Sequence, residues 1–471
     1  MARYLISLAL FTFATVAGCG TAPTDGTTAD MGDPTGTPDL AEPGYPAWSA
    51  GSPAICNQAP YTWLPAASVG SVLDYSRNLL PVLKLVIKGL EAAAYLGAQL
   101  NVHHAVNYDV QTAVVRYQTQ DRGQLVDATA MVTWPVASGK QFPVLLFLHP
   151  TLGYTDGCAP SQKAASLTAP MTIFSIIAAS AGYVAVFPDY LNQKSRGQPS
   201  LHVTPYLLME PTAIASLDAV RAAQRYVSAQ ESVTATNDVY VWGHSQGAQA
   251  VEYVTALQPL YAPEYTLRAA AAVSPPSDVS AAARLNFAGA APTYNLGEAV
   301  AYTWSDYYDR SALSAALLPP WDGMALTELQ NYCTTNYMDP IKSVSDPGQI
   351  FPASFLGALL DGKKLDPWSC WLYYNNPVTM GPPFNKSVPM LYVTGELDTT
   401  VYPAASDPAS AKWCSQGAKI QYLQCAGADH VYSVANSVDD VLQFFEDRQN
   451  NVPLPPSVCQ PTPPTRCAST P

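Results

Sequence analysis

The sequence predicts an α/β protein whose sheet is mostly parallel and carries helices on both faces. Short apolar runs recur at Val144 to His149, Tyr183 to Pro188, Val239 to Trp242, Ala269 to Val273, Val388 to Thr394 and Lys419 to Gln424. Strands buried on both faces need such runs, because each face packs against a helix layer. Helical patterns at Ala165 to Ala181, Thr212 to Ala229, Ser245 to Leu257 and Val438 to Arg448 separate them and supply the crossovers that parallel strands require. No repeat of fixed period is visible, which sets aside solenoids and propellers.

From the start of the chain, residues 1–18 carry one charge, Arg3, then an apolar run from Tyr4 to Val16, and end in Val16-Ala17-Gly18 before Cys19. This is the pattern of an export signal and is too short to span a bilayer. Its end resembles the bacterial lipoprotein signal, which implies that Cys19 is the acylated mature N-terminus. A plain cleaved signal peptide is the alternative. Residues 19–50 are rich in Thr, Pro, Gly and Asp and read as a tether with a random-coil reach of about 30 Å. With Gly20 after Cys19, retention at an outer membrane or cell surface is expected.

The remaining eight Cys form an even set, as an exported chain with disulfides requires. The pairs near in sequence, Cys414 with Cys425 and Cys459 with Cys467, are the expected bridges; Cys333 and Cys370 are placed to pin an insertion. No C-x-x-C occurs and no two His stand at i, i+4, so no metal site is expected. With 36 acidic against 23 basic residues the net charge is −13 and no basic cluster stands out, which excludes nucleic acid as a partner.

Next, residues 66 to 99 read as an apolar helix and Asp109 to Gln120 with Gln124 to Val136 as a hairpin-like strand pair. The core then divides into 51–275 and 388–450 around about 110 residues that no ordinary crossover needs. Residues 276–387 are thus expected to form an inserted, largely helical cap. They hold four of the nine Trp, eight Tyr and four Phe, enough for a core of their own and an apolar wall over a site. The tail 451–471 is Pro-rich and reads as a surface strap.

The chemistry centres on Gly243-His244-Ser245-Gln246-Gly247, directly after one strand and before a helix. The pattern alone arises by chance roughly one time in ten in such a chain, so its context carries the inference. A strand-to-helix corner needs glycines where side chains would collide, exposes the Ser hydroxyl and puts the Gln246 amide at a helix N-terminus, where it can stabilise negative charge. A serine needs a base, and His430 is the one histidine after Ser245. Asp398, just past the strand run ending at Thr394, is the expected orienting acid, with Glu396 its rival.

These residues, in the order Ser245, Asp398, His430, resemble the α/β-hydrolase superfamily, and more narrowly the secretory lipases and their esterase relatives. Further likeness lies in His149-Pro150-Thr151-Leu152-Gly153, similar to an H-G-x-x-G oxyanion loop, and in Asp156-Gly157-Cys158-Ala159-Pro160-Ser161. It continues in Gly182-Tyr183 to Pro188-Asp189-Tyr190-Leu191, in His202 to Tyr206 and in Ser216 to Ala223. The likeness spans roughly residues 110 to 448. Pro150 replaces the loop's glycine and has no N–H, so Thr151 is the first choice of oxyanion donor beside Gln246, and Asp156 the second. The resemblance implies an α/β-hydrolase fold with an inserted cap, an ester substrate, an acyl-enzyme and no cofactor. A serine peptidase and a non-catalytic binding protein are the rival readings; the short segment before the first strand leaves no room for a peptidase propeller.

Overall fold

The computed structural model describes residues 48–90, 94–95, 98–290, 292–333, 339–380 and 384–470. The signal segment 1–18, Cys19 and the tether up to residue 47 lie outside them. β1 (Gly51–Ser52) pairs with β2 (Tyr61–Thr62) and brings Trp48 against Trp63. The stretch 66–99 is not one helix: it holds the edge strand β3 (Val72–Arg77), the short helix α1 (Lys84–Leu90) and the paired β4 (Ala94–Tyr95) and β5 (Ala98–Gln99). Two residues break the expected helix. Gly70 sits at φ +69°, with the Arg221 side chain where a Cβ would go. Pro81 keeps its predecessor out of the helical region, so a helix starts only beyond it.

The long hairpin of β6 (Val110–Asp121) and β7 (Gln124–Pro135) turns at Arg122-Gly123, both at positive φ as a two-residue hairpin turn requires. Then follow β8 (Gln141–Leu148), α2 (Pro170–Ala181), β9 (Val184–Pro188), α3 (Met209–Gln230), β10 (Thr234–His244), α4 (Gln246–Tyr261) and β11 (Thr266–Val273). After residues 276–387 come β12 (Met390–Gly395), α10 (Pro403–Ser415), β13 (Ile420–Cys425), α11 (His430–Asn436) and α12 (Val438–Gln449). The nine-stranded sheet has the order β13-β12-β11-β10-β8-β9-β7-β6-β3; β9 to β13 run parallel with β8, and β3, β6 and β7 complete the antiparallel side.

The apolar runs work because alternate residues serve opposite faces. Val144, Leu146 and Leu148 of β8, with Val239 and Val241 of β10, pack under α3 and α4. Leu145 and Phe147, with Tyr240 and Trp242, pack under α2, α11 and α12. Fully burying each such side chain contributes on the order of 1.5–3 kcal/mol, so none of these core positions can turn polar cheaply.

Residues 276–387 contain α5 (Val279–Phe287), α6 (Tyr294–Tyr307), α7 (Trp321–Asn331), α8 (Ala353–Asp361) and α9 (Trp368–Asn375). They share an apolar cluster in which Trp304 stacks on Trp368 and Phe355 meets Trp368 edge-on. The Trp304 indole N–H donates to the Tyr206 carbonyl at 2.7 Å, which ties this cluster to the segment before α3.

The four disulfides are Cys56–Cys370, Cys158–Cys333, Cys414–Cys459 and Cys425–Cys467. The expected Cys414–Cys425 and Cys459–Cys467 bridges are therefore wrong, although the four cysteines are the right set. Cys414 ends α10 and Cys425 ends β13, while the tail runs beside β13: Thr465 pairs in parallel with Cys425, and the Cys459 N–H donates to the Ile420 carbonyl at 2.7 Å. The tail covers an otherwise open strand edge and each of its cysteines meets the core cysteine it passes.

Glu298 of α6 is buried near Glu328 and Asp339, and one of its oxygens has no hydrogen-bond partner among the described residues. Burial first, then these two acids, push its carboxyl up to about 9. Its folded value lies above the unfolded one of about 4.3, so the folded chain holds the proton more tightly. The stability this gives is complete below the unfolded value and lost as pH rises through about 9. Glu298→Gln removes the titration. Thermal melts should show the variant's advantage over the parent growing from pH 5 to pH 9, by at most about 1.4 kcal/mol per pH unit; an advantage independent of pH would show that the acid is not held neutral.

Candidate active site

β10 delivers Ser245 to the carboxyl edge of the sheet and α4 leaves from it at once. The corner is crowded. A Cβ at Gly243 would lie 2.2 Å from the Gly247 carbonyl oxygen, and one at Gly247 would lie 1.9 Å from the Leu148 carbonyl oxygen of β8. Glycine is needed at both because backbones touch there. Ser245 itself takes φ 57°, ψ −120°, a strained conformation for a residue with a side chain, and is held by its N–H donating to the Val273 carbonyl at 2.9 Å.

His430 begins α11, whose N-cap Asp429 accepts the N–H groups of Val431 and Tyr432. The loop carrying it lies so close to the end of β12 that a Cβ at Gly395 would be 2.6 Å from the Ala428 carbonyl oxygen. His430 Nε2 is 2.9 Å from Ser245 Oγ and its Nδ1 is 2.7 Å from Asp398 Oδ2. The other Asp398 oxygen accepts the N–H groups of Thr400 and Val401, both at 2.9 Å. Glu396 faces elsewhere: it is exposed and accepts the Gly427 N–H at 2.7 Å. Ser245, His430 and Asp398 thus form one hydrogen-bonded chain.

His244, which the sequence reading left without a role, is fully buried, and desolvation pushes its imidazole well below the usual histidine range. Being neutral, it donates through Nε2 to the His430 carbonyl at 2.9 Å and so fixes the backbone of the loop that carries His430. Its place inside the Gly-x-Ser-x-Gly corner was the available signal. Tyr206 was also missed as a separate residue; nothing in the pattern of residues marks its hydroxyl.

An apolar cavity opens at Ser245. Its floor includes Gln246, Tyr206 and Leu207, and its walls come largely from α5, α6 and α8, including Val279, Phe287, Leu296, Val300 and Leu359. Gln246 is the first residue of α4, where backbone N–H groups have no intrahelical acceptor. Thr151 stands behind Tyr206, the two hydroxyls 2.9 Å apart. Asp156 lines a different cavity, and its carboxylate accepts from the Lys194 and Ser200 N–H groups and the Ser200 hydroxyl. Among the described residues no cluster of three or more His, Cys, Asp or Glu side chains is placed to hold a metal ion.

With this geometry in hand, comparison with known proteins gives a match to the model of the secretory lipase family over residues 158–310, a stretch that contains Ser245. Among solved structures, a Legionella pneumophila protein described provisionally as a hydrolase superposes with a TM-score of 0.66 at 21% identity, covering 82% of this chain and all of that one. The rice cell wall degrading esterase LipA from Xanthomonas oryzae gives 0.63 at 18%, with 81% of this chain and 99% of that one covered. Candida antarctica lipase A in its closed state gives 0.61 at 17%, with 85% and 87% covered. The fold is that of an α/β-hydrolase. The family match and these neighbours support an ester hydrolase of the lipase-like group, and the four disulfides accord with an extracytoplasmic location. No curated protein matches the chain by sequence.

The strain at position 245 is open to direct measurement. Glycine tolerates φ 57° and alanine does not, so Ser245→Gly should be more stable than Ser245→Ala by about 1–3 kcal/mol in denaturant unfolding. Equal stability of the two variants would mean that the corner stores no strain.

Proposed function

We propose that the chain is a lipid-anchored extracytoplasmic serine hydrolase that cleaves carboxylic esters through an acyl-enzyme. The observation that carries the reading is the hydrogen-bonded chain from Ser245 through His430 to Asp398, opening on an apolar cavity. Asp398 accepts a hydrogen bond from Nδ1–H and so holds the tautomer whose Nε2 is free to accept from Ser245. Ser245 Oγ attacks the ester carbonyl carbon while its proton passes to Nε2. The carbonyl oxygen becomes an oxyanion, for which the backbone N–H groups of Gln246 and Thr151 are the proposed donors, each worth about 2.7–4 kcal/mol in the transition state. Collapse breaks the bond to the alcohol, which leaves with the Nε2 proton. Water then gives its proton to the same nitrogen, attacks the acyl-enzyme and releases the acid, returning the proton to Ser245. No metal or organic cofactor enters these steps.

Ser245→Ala and His430→Ala should each lower kcat on the order of 10⁶-fold, with the double variant little worse, because the residues act as a unit. Asp398→Asn should impair turnover far more than Glu396→Gln. A Ser245→Ala enzyme with substantial activity on p-nitrophenyl esters would remove the proposed nucleophile.

The cavity gives the acyl chain an apolar slot between α5, α6 and α8. Each buried methylene is worth about 0.8 kcal/mol, so kcat/KM should climb roughly fourfold per carbon until the slot is full. Gly297 of α6 lines it, and a Cβ there would meet the Phe351 and Phe287 rings at 2.9 and 3.0 Å. Gly297→Leu should therefore depress turnover of long acyl esters while sparing acetyl esters; an unchanged chain-length profile would place the acyl chain elsewhere.

The anchor reading rests on the small-residue cut before Cys19 and on the even count of the remaining cysteines, all of which are in disulfides. Metabolic labelling with a radioactive fatty acid should mark the parent and not Cys19→Ser; equal label in both would refute acylation at that residue.

A further inference from the structure

Outside the site, the largest run of exposed apolar side chains among the described residues follows β3. Leu79, Leu80, Leu83 and Leu85 are 95%, 78%, 52% and 83% exposed, and Val86 is 43% exposed. Their backbone is firmly held. Val82 exchanges both backbone hydrogen bonds with Val110 of β6, the Asn78 side chain donates to the Ala164 carbonyl, and Ile87 is fully buried among residues packed with α2. Ordered backbone that presents four leucines to water marks an interaction surface.

Within the run itself the charge is one-sided. From Tyr75 to Leu90 the chain has no acidic residue but carries Arg77, Lys84 and Lys88, in a molecule of net charge −13. Arg77 pairs with Glu231, while neither lysine ammonium has an acidic partner among the described residues. Asp109, which lines the same hollow as Leu83, Leu85 and Lys88, accepts the Lys84 backbone N–H at 2.8 Å. Leucines flanked by uncommitted lysines suit a surface that is apolar inside and anionic outside, where lysine stems lie along the apolar layer and their heads reach the phosphates. A second copy would bring the same lysines against each other.

Position in the fold agrees. β3 ends at Arg77 opposite Ala113, near the start of β6, and β7 runs antiparallel to β9. The patch therefore lies at the amino edge of the parallel strands, whereas Ser245 lies at their carboxyl edge. We infer that the leucine patch from Leu79 to Val86, with Lys84 and Lys88, rests on an anionic lipid bilayer and turns the Ser245 cavity toward the medium. The proximity of that bilayer rests on the proposed Cys19 anchor, whose tether reaches about 30 Å; the ester chemistry is not needed for it.

The test uses the full chain reconstituted in vesicles of phosphatidylglycerol and phosphatidylcholine, with a nitrobenzoxadiazole label on Leu80→Cys, Leu85→Cys or, as comparator, Leu201→Cys, which is 94% exposed beside the cap. The parent carried through the same labelling reports Cys19 itself. Emission at 80 and 85 should shift to the blue and be quenched by nitroxide lipids, while 201 stays water-like. Adding Lys84→Glu and Lys88→Glu should reverse the shift. Water-like emission at 80 and 85 overturns the inference, as does a blue shift that appears without vesicles and grows with protein concentration, since a second copy would then cover the patch. Turnover of a soluble p-nitrophenyl ester, read on the same samples, should be equal in all of them; its absence from the parent would count against the ester reading alone and leave the emission result standing.

Discussion

The site depends on a contact between backbones. α4 can start directly under the end of β10 only if residues 243 and 247 lack side chains, because the helix then lies against the Leu148 and His149 carbonyls of β8 with no space for a Cβ. That closeness forces Ser245 into its strained turn, raises its hydroxyl above the sheet and puts the Gln246 amide beside it. The same device recurs at Gly395, where the loop bearing His430 meets the end of β12. Two close approaches, each made by glycine, thus set the distance between a serine and a histidine that are 185 residues apart in sequence.

Around this rigid edge the disulfides distribute two tasks. Cys56–Cys370 and Cys158–Cys333 each join a segment outside residues 276–387 to a residue within them, so the walls of the cavity are tied to the sheet that holds Ser245. Cys414–Cys459 and Cys425–Cys467 instead close the tail over β13 and hold the strand next to the one that leads to Asp398. Tyr206 joins the two regions without a disulfide: its carbonyl accepts from Trp304 of α6 and its hydroxyl meets Thr151, beside the proposed oxyanion position. A shift of α6 would therefore be felt where negative charge develops.

The parallel core was legible because strands buried on both faces leave short apolar runs that alternate with helical patterns along the chain. Gly-x-Ser-x-Gly was legible as a corner, and the scarcity of histidine narrowed the base to His430 before any geometry was known. What was not legible follows from long-range contact. Residues 66–99 have helical composition, yet Tyr75, Ser76 and Arg77 pair with Val115, Val114 and Ala113, a partnership invisible in either segment alone. The bridges of Cys414 and Cys425 were misread for a similar reason: proximity in sequence counted for less than the path of a Pro-rich tail along the sheet edge. His244 escaped notice since the second residue of the motif tolerates many side chains, and only its burial and its bond to the His430 carbonyl show that it holds that loop.

The choice between the two acids near β12 illustrates how surroundings assign a role that residue type cannot. Asp398 and Glu396 stand two residues apart at the end of one strand. Among the described residues three N–H donors converge on the Asp398 carboxylate, those of Thr400, Val401 and His430, in a place closed to water. Among the described residues Glu252, buried behind the same corner, meets the Ser277 and Tyr392 hydroxyls and leaves one oxygen without a hydrogen-bond partner, and burial pushes it up to about 8. Hydroxyls can serve a neutral acid as readily as an anion, whereas amide and imidazole N–H groups can only donate. A buried carboxylate ringed by such donors can hold an imidazole in one orientation and remain beside it when the ring takes up a proton, which neither the water-exposed Glu396 nor the hydroxyl-bound Glu252 is built to do.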